Sequence, residues 1–332
     1  MNIIRQEHDK GIIEYILKND NGMTVKLINI GCSITDILVP DRNGEYSNVV
    51  LRYETLEEYF RNEYFFGSVI APLAGRLESA ELIIDDELYS FIPNEGKNLL
   101  HSGEINPYNK IWDSSIEDDK VVFQYKIGDE YPGAPLFTVK YMLSDDNELK
   151  LEYEVITETK TVAAPTNHTY FNLGAEDTVS HVIRGNTESF LKMNDNLTAA
   201  SVEKCEGLFD LKQERLFSDV FTSDDEQIAV ANGGFDHYFI FAEDNQYVEI
   251  TDKKSGRTMT VKTTFPGMVL YTGNNLDEYV VLKDRKSQKY AGFCVETQCT
   301  PAALKLPLDQ ELRIKADVPY KKETVFSFST KA

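Results

Sequence analysis

Histidine is scarce in this chain, and three of its five copies sit in unusual local contexts. His101 stands in Asn98-Leu99-Leu100-His101-Ser102-Gly103, directly after the turn-rich Pro93-Asn94-Glu95-Gly96-Lys97. His168 lies within Pro165-Thr166-Asn167-His168-Thr169-Tyr170-Phe171-Asn172-Leu173, and His237 follows Gly233-Gly234-Phe235-Asp236. A carboxylate, Glu296, falls in Gly292-Phe293-Cys294-Val295-Glu296-Thr297-Gln298. An imidazole and a carboxylate each give and take protons near neutral pH, so general acid–base catalysis is the chemistry these types suit. Each also has a plain structural reading. A histidine beside Tyr-Phe is often a hydrogen-bonded sheet residue, and a strand glutamate is usually solvated. Arg76, in Pro72-Leu73-Ala74-Gly75-Arg76-Leu77, reads equally as a surface ion-pair partner of Glu78 or Glu81.

The elements that must carry these residues read as strands. Period-two patterning and β-branched or aromatic runs dominate from Ile12 to Phe328, separated by turns such as Asp41-Arg42-Asn43-Gly44 and Lys253-Lys254-Ser255-Gly256. Alternation then assigns faces. In 292–298, Phe293, Val295 and Thr297 point one way, and Cys294, Glu296 and Gln298 the other. In a strand expected over Val162–Phe171, His168, Tyr170 and Asn172 share the parity opposite to Phe171 and Leu173. Two segments far apart in sequence thus present an acid–base pair on one outer face. Of the neighbours Asp236 and His237, Asp236 is expected in that groove, because His237 shares parity with Phe239 and Phe241. The one helix candidate is short, around Leu56–Asn62, and Asn194–Gly234 reads as a polar excursion wrapping the body. The fold class expected is all-β, a large antiparallel β-sandwich forming a single domain over 1–332.

Composition narrows the partners. Among 332 residues, 34 basic side chains against 55 acidic give a net charge of −21. Such a chain repels phosphate backbones and anionic headgroups, so neither nucleic acid nor membrane is an expected partner. No apolar run approaches the ~18 residues of a membrane span, and no leader-like apolar segment opens the chain. The four cysteines form no C-x-x-C pair and read as reduced thiols of a cytoplasmic protein. No nucleotide-binding glycine motif or metal-ligand spacing is present. His101, His168 and Glu296 could ligate a metal by residue type alone; the expectation is no metal and no cofactor.

Read together, Ala71-Pro72-Leu73-Ala74-Gly75-Arg76, Leu100-His101-Ser102-Gly103 and Thr166-Asn167-His168-Thr169-Tyr170-Phe171-Asn172-Leu173 resemble the galactose mutarotase (aldose 1-epimerase) family. So do Phe235-Asp236-His237, Pro266-Gly267 leading to Tyr271-Thr272-Gly273-Asn274, and Gly292 through Gln298. The resemblance implies a curved β-sandwich holding a monosaccharide. It implies Glu296 as general base, His168 as general acid, His101 as a second acid or orienting donor, and Arg76 and Asp236 as contacts to sugar hydroxyls. Phe265 stands where many members carry Gln or Glu, which makes it an expected apolar wall of the sugar groove. Pro301-Ala302-Ala303 replaces the family's Pro-Asp-Ala and is expected outside the groove. The implied reaction interconverts α and β anomers of free hexoses by ring opening and reclosure, in a monomer or weak homodimer. The rival readings are a phosphosugar epimerase, which needs clustered cations, and a non-catalytic carbohydrate-binding protein, which has no use for both Glu296 and His168.

Overall fold

Alternating side chains commit a segment to one face of a sheet, and in the computed structural model this happens in three large antiparallel sheets. The structure describes residues 1–174, 176–308 and 310–331. The largest sheet has nine strands, running from Asp113–Glu117 through Lys120–Lys126, Leu136–Leu143, Glu148–Ile156, Tyr320–Thr330, Arg257–Thr263, Tyr247–Asp252 and His181–Gly185 to Arg215–Leu216. A six-stranded sheet runs Tyr170–Phe171, Phe293–Gln298, Gly267–Tyr271, Asp236–Phe241, Thr187–Met193, Ala199–Lys204. A five-stranded sheet is built from the first 48 residues. The all-β sandwich expected from the sequence is therefore the fold observed.

The six-stranded sheet positions the chemistry. Its inner face buries Phe171, Phe239, Leu270, Phe293 and Val295 against Phe326, Met259 and Val261 of the large sheet, in one apolar cluster. Phe171 lies 5.2 Å from Phe326, and Thr297 Oγ1 shares a 2.6 Å hydrogen bond with Thr324 Oγ1 across the layers. With one face fixed by this burial, a one-residue slip of register is prohibitive. Pairing Glu296 with Val269 and Asp236 with Tyr271 consequently aims those side chains outward.

Three local expectations are corrected. Val162–Phe171 is not one strand but three two-residue pieces, Thr161–Val162, Thr166–Asn167 and Tyr170–Phe171, with His168 in a break between them. The break lets 166–167 pair with Val69–Ile70 while Tyr170–Phe171 joins the six-stranded sheet. Leu56–Asn62 holds only a 3-10 turn at Glu57–Phe60; five-residue α-helices occur instead at Phe217–Phe221 and Glu226–Val230. Asn194–Gly234 is more than a wrap, because it supplies edge strands to two sheets, Ala199–Lys204 and Arg215–Leu216.

Candidate active site

The outer face of the six-stranded sheet carries a cavity of about 250 Å³. Alternation builds its floor: Tyr170, Glu296, Gln298, Val269, Tyr271, Asp236 and Tyr238 all project into it, whereas His237 turns inward among Phe190, Phe209 and Phe235. Glu296 is 3% and His168 4% exposed. Their nearest polar atoms, His168 Nε2 and Glu296 Oε1, are 3.6 Å apart. That spacing is too long for a good hydrogen bond between them, which leaves both free to meet a third group.

His101 arrives from the loop after Leu100 and has a left-handed backbone, φ 49°. Gly75, also left-handed at φ 80°, donates its backbone N–H to His101 Nδ1 at 3.1 Å and accepts the His101 N–H at 2.9 Å. With the Nδ1 lone pair so used, a neutral His101 carries its proton on Nε2. The two imidazoles stand nearly perpendicular, 83°, with ring centres 5.3 Å apart. Behind His168, Cys294 Sγ lies 3.7 Å from Nδ1.

Arg76 is not the surface partner of Glu78 or Glu81. It reaches into the cavity and makes a bidentate pair with Glu95, 2.7 and 2.9 Å, and a longer contact of 3.4 Å to Asp236. Sequence reasoning missed Glu95, which arrives on the turn before Leu99–Leu100. Gln298 was also unassigned; it lines the cavity with a buried Oε1 that has no protein partner.

Burial dominates the electrostatics. It pushes His168 down to about 4 and His101 well below the ordinary histidine value, the latter helped by the charges of His168 and Arg76. It pushes Glu296 well above the carboxylate range, with Asp236 adding repulsion, and raises Asp236 as well. Burial also opposes the Arg76 charge, but Asp236 and Glu95 outweigh it and hold the guanidinium protonated.

His101, His168 and Glu296 offer ligand atoms within 4.8 Å of one another, and among the described residues no other such group is found. A metal needs a lone pair from each imidazole. The Gly75 N–H has taken the Nδ1 lone pair of His101 and so left a proton, not a lone pair, on Nε2. The three residues thus fit a proton-handling site better than a metal centre.

One expected site residue is corrected. Phe265 does not line the cavity; it is fully buried in the apolar core, its ring 5.6 Å from Tyr153. The bend before Pro266, where Phe265 N–H donates to Thr263 Oγ1 at 3.1 Å, drives the ring between the sheets rather than onto the outer face. Conversely Ala302, expected outside the groove, forms part of its edge.

The aldose 1-epimerase family profile matches residues 14–327. The chain belongs to the aldose 1-epimerase family. A bovine (Bos taurus) galactose mutarotase is 32% identical over 332 residues, covering 96% of this chain and 95% of the relative. An aldose 1-epimerase of Streptococcus thermophilus is 27% identical over 316 residues, covering 89% of this chain and 88% of the relative. The crystal structure of galactose 1-epimerase from Lactobacillus acidophilus superposes with a TM-score of 0.87 at 26% identity, covering 100% of this chain and 99% of that one. As a member of this family the protein is an isomerase with aldose 1-epimerase activity. The phosphosugar alternative finds no footing: among the described residues Arg76 is the only Lys or Arg lining the cavity, against Glu63, Glu95, Asp236 and Glu296.

Proposed function

We propose that Glu296 and His168 interconvert the anomers of a free hexose such as galactose or glucose by sharing a single proton. The observation that carries this is the 3.6 Å gap between His168 Nε2 and Glu296 Oε1 at the floor of a buried cavity. Burial raises the carboxylate and lowers the imidazole, so the pair carries one proton that rests on Glu296 and must pass to His168 to give the productive form. With the proton on His168, Glu296 is a carboxylate of enhanced basicity. It takes the C1 hydroxyl proton while His168 gives its proton to the ring oxygen; the C1–O5 bond breaks and C1 becomes an aldehyde. After rotation about C1–C2, the freed hydroxyl attacks the other carbonyl face. His168 now takes that hydroxyl's proton, and Glu296 returns its own to the C1 oxygen. Atoms and protons balance with no metal or redox group.

His101, with its proton fixed on Nε2, serves as an orienting donor to the anomeric region rather than as a second acid. Arg76 and Asp236 hold hydroxyls at the far side, and Glu95 keeps Arg76 in place. A non-catalytic sugar-binding protein would gain nothing from two buried, oppositely shifted proton carriers. We read residues 1–332 as one domain, since a single apolar cluster joins Tyr15 to Phe328. The partner is a monosaccharide, and the assembly a monomer or weak homodimer in the cytoplasm; among the described residues no helix is long and apolar enough to cross a membrane.

Polarimetry of freshly dissolved α-galactose and α-glucose tests this directly. The protein should accelerate the drift to the equilibrium rotation. If no free aldose responds, the reading is wrong.

A further inference from the structure

Phe65 is a half-buried ring of the cavity wall that touches both imidazoles. Its centre lies 5.1 Å from His101, 5.6 Å from His168 and 4.7 Å from Tyr108. Its backbone is left-handed, φ 59°. Side-chain-bearing residues avoid that region, and bulky ones most of all, so the surrounding structure must enforce it.

The enforcement is visible. Asn62, fully buried, accepts from Phe66 N–H at 2.8 Å through its side chain and donates to Ser68 Oγ at 2.7 Å. Phe65 N–H donates to Asn62 O, and Ser68 N–H to Phe65 O. The same turn is tied to the segment bearing the general acid. His168 N–H donates to Ser68 O at 2.8 Å, Gly67 N–H to His168 O at 3.1 Å, and Asn167 Nδ2 to Gly67 O at 2.8 Å. Ring and imidazole are thus presented by two backbones bonded to each other, and they keep a fixed relation.

We propose that Phe65 is a positioning residue whose enforced left-handed turn lays its ring over His101 and His168, keeping both dry and mutually perpendicular. A ring there removes water from the imidazole faces, and an imidazole without water resists protonation. The inference deepens the acid–base reading and rests on it. Among the described residues, the other titratable groups around the imidazoles are Glu63, Tyr64 and Tyr108 on the Phe65 side and Tyr170, Tyr238, Tyr271, Cys294, Glu296, Asp236, Arg76 and Glu95 across the cavity. Of these only Tyr108 makes a ring contact with Phe65, and its phenol, raised by burial, stays neutral throughout the histidine range, so a moved histidine titration reports the lost cover.

The experiment is an NMR titration of the histidine ring protons in the native protein, Phe65→Ala, Phe65→Gly and Phe65→Tyr, with mutarotation kinetics alongside. Loss of the ring should move the His168 titration upward from about 4 by about one pH unit or more, toward the ordinary histidine value. It should also lower kcat roughly tenfold with KM within about twofold, the mark of a misplaced catalytic group. Phe65→Tyr should restore both. Phe65→Gly suits the left-handed backbone, so it gives the same reading should Phe65→Ala fail to fold. Unchanged histidine titrations in the folded Ala or Gly variant would overturn the proposal. The titration needs no turnover, so this failure is separate from a failure of mutarotation itself.

Discussion

The backbone N–H of Gly75 donates to Nδ1 of His101 at 3.1 Å, and in the proposed mechanism this one bond separates the roles of the two cavity histidines. Protonating His101 would place an N–H against an N–H, so it remains a neutral donor. Among the described residues no such backbone donor faces His168, whose Nδ1 neighbour is the Cys294 thiol. His168 therefore keeps the freedom to gain and lose a proton.

The first prediction follows for His101. Removing one preorganised donor costs about 10²-fold in kcat. His101→Gln should show a loss of that order while leaving both limbs of the pH–kcat/KM profile where the native protein has them. A displaced limb would mean that His101 titrates in catalysis.

The pH profile itself should be broad. In the proposed mechanism the free enzyme is productive while the Glu296–His168 pair holds one proton. His168 is depressed to about 4, so the pair takes a second proton, and activity falls, only as pH drops through that region. Glu296 is raised, so the last proton leaves well above the carboxylate range, and activity falls again on that alkaline side. A kcat/KM profile over pH 3 to 10 checks both limbs; an acid limb at an ordinary histidine pKa of about 6.5 would contradict the desolvated pair.

Glu95 is predicted to act through Arg76. Its bidentate grip fixes the guanidinium beside Asp236, and Glu95→Ala frees a long side chain that must be ordered again by the sugar. KM should rise roughly tenfold with kcat within about twofold. Initial-rate kinetics on galactose decide it: an unchanged KM removes Glu95 from the site.

Phe265 is predicted to matter for stability alone. Truncating a fully buried phenylalanine costs about 3–5 kcal/mol, so Phe265→Ala should melt much earlier in thermal denaturation. The ratio of kcat/KM for galactose over glucose should stay within about twofold of native, since no substrate contact is lost. A changed ratio with native stability would return Phe265 to the groove.

Much of the site was legible because strand periodicity is strict. Phe293 and Val295 had to face the core, which left Glu296 on the other face, and the same logic set Asp236 apart from His237. What failed was information carried by bends. The left-handed turns at Phe65, Gly75 and His101 have no periodic signature, so neither the ring over the histidines nor the Nδ1 bond could be read. Phe265 was misplaced because parity ends before Pro266, where the chain turns inward. Glu95 was missed because its meeting with Arg76 depends on a turn folding back over 19 residues. Thr187–Met193 shows no clear alternation, because Leu191 and Met193 line the cavity while Phe190 fills the core, making both faces apolar.

The central claim is that Glu296 and His168 work as one proton-sharing pair. The most direct measurement is the polarimetric rate on freshly dissolved α-galactose for the native protein, Glu296→Gln and His168→Asn at equal concentration, with folding checked by circular dichroism. Each substitution should reduce turnover by about 10²- to 10⁴-fold, the usual contribution of a general acid or base. Combining them should cost little more than the worse single change, since either loss disables the pair. Near-native turnover in both folded single variants would contradict the account.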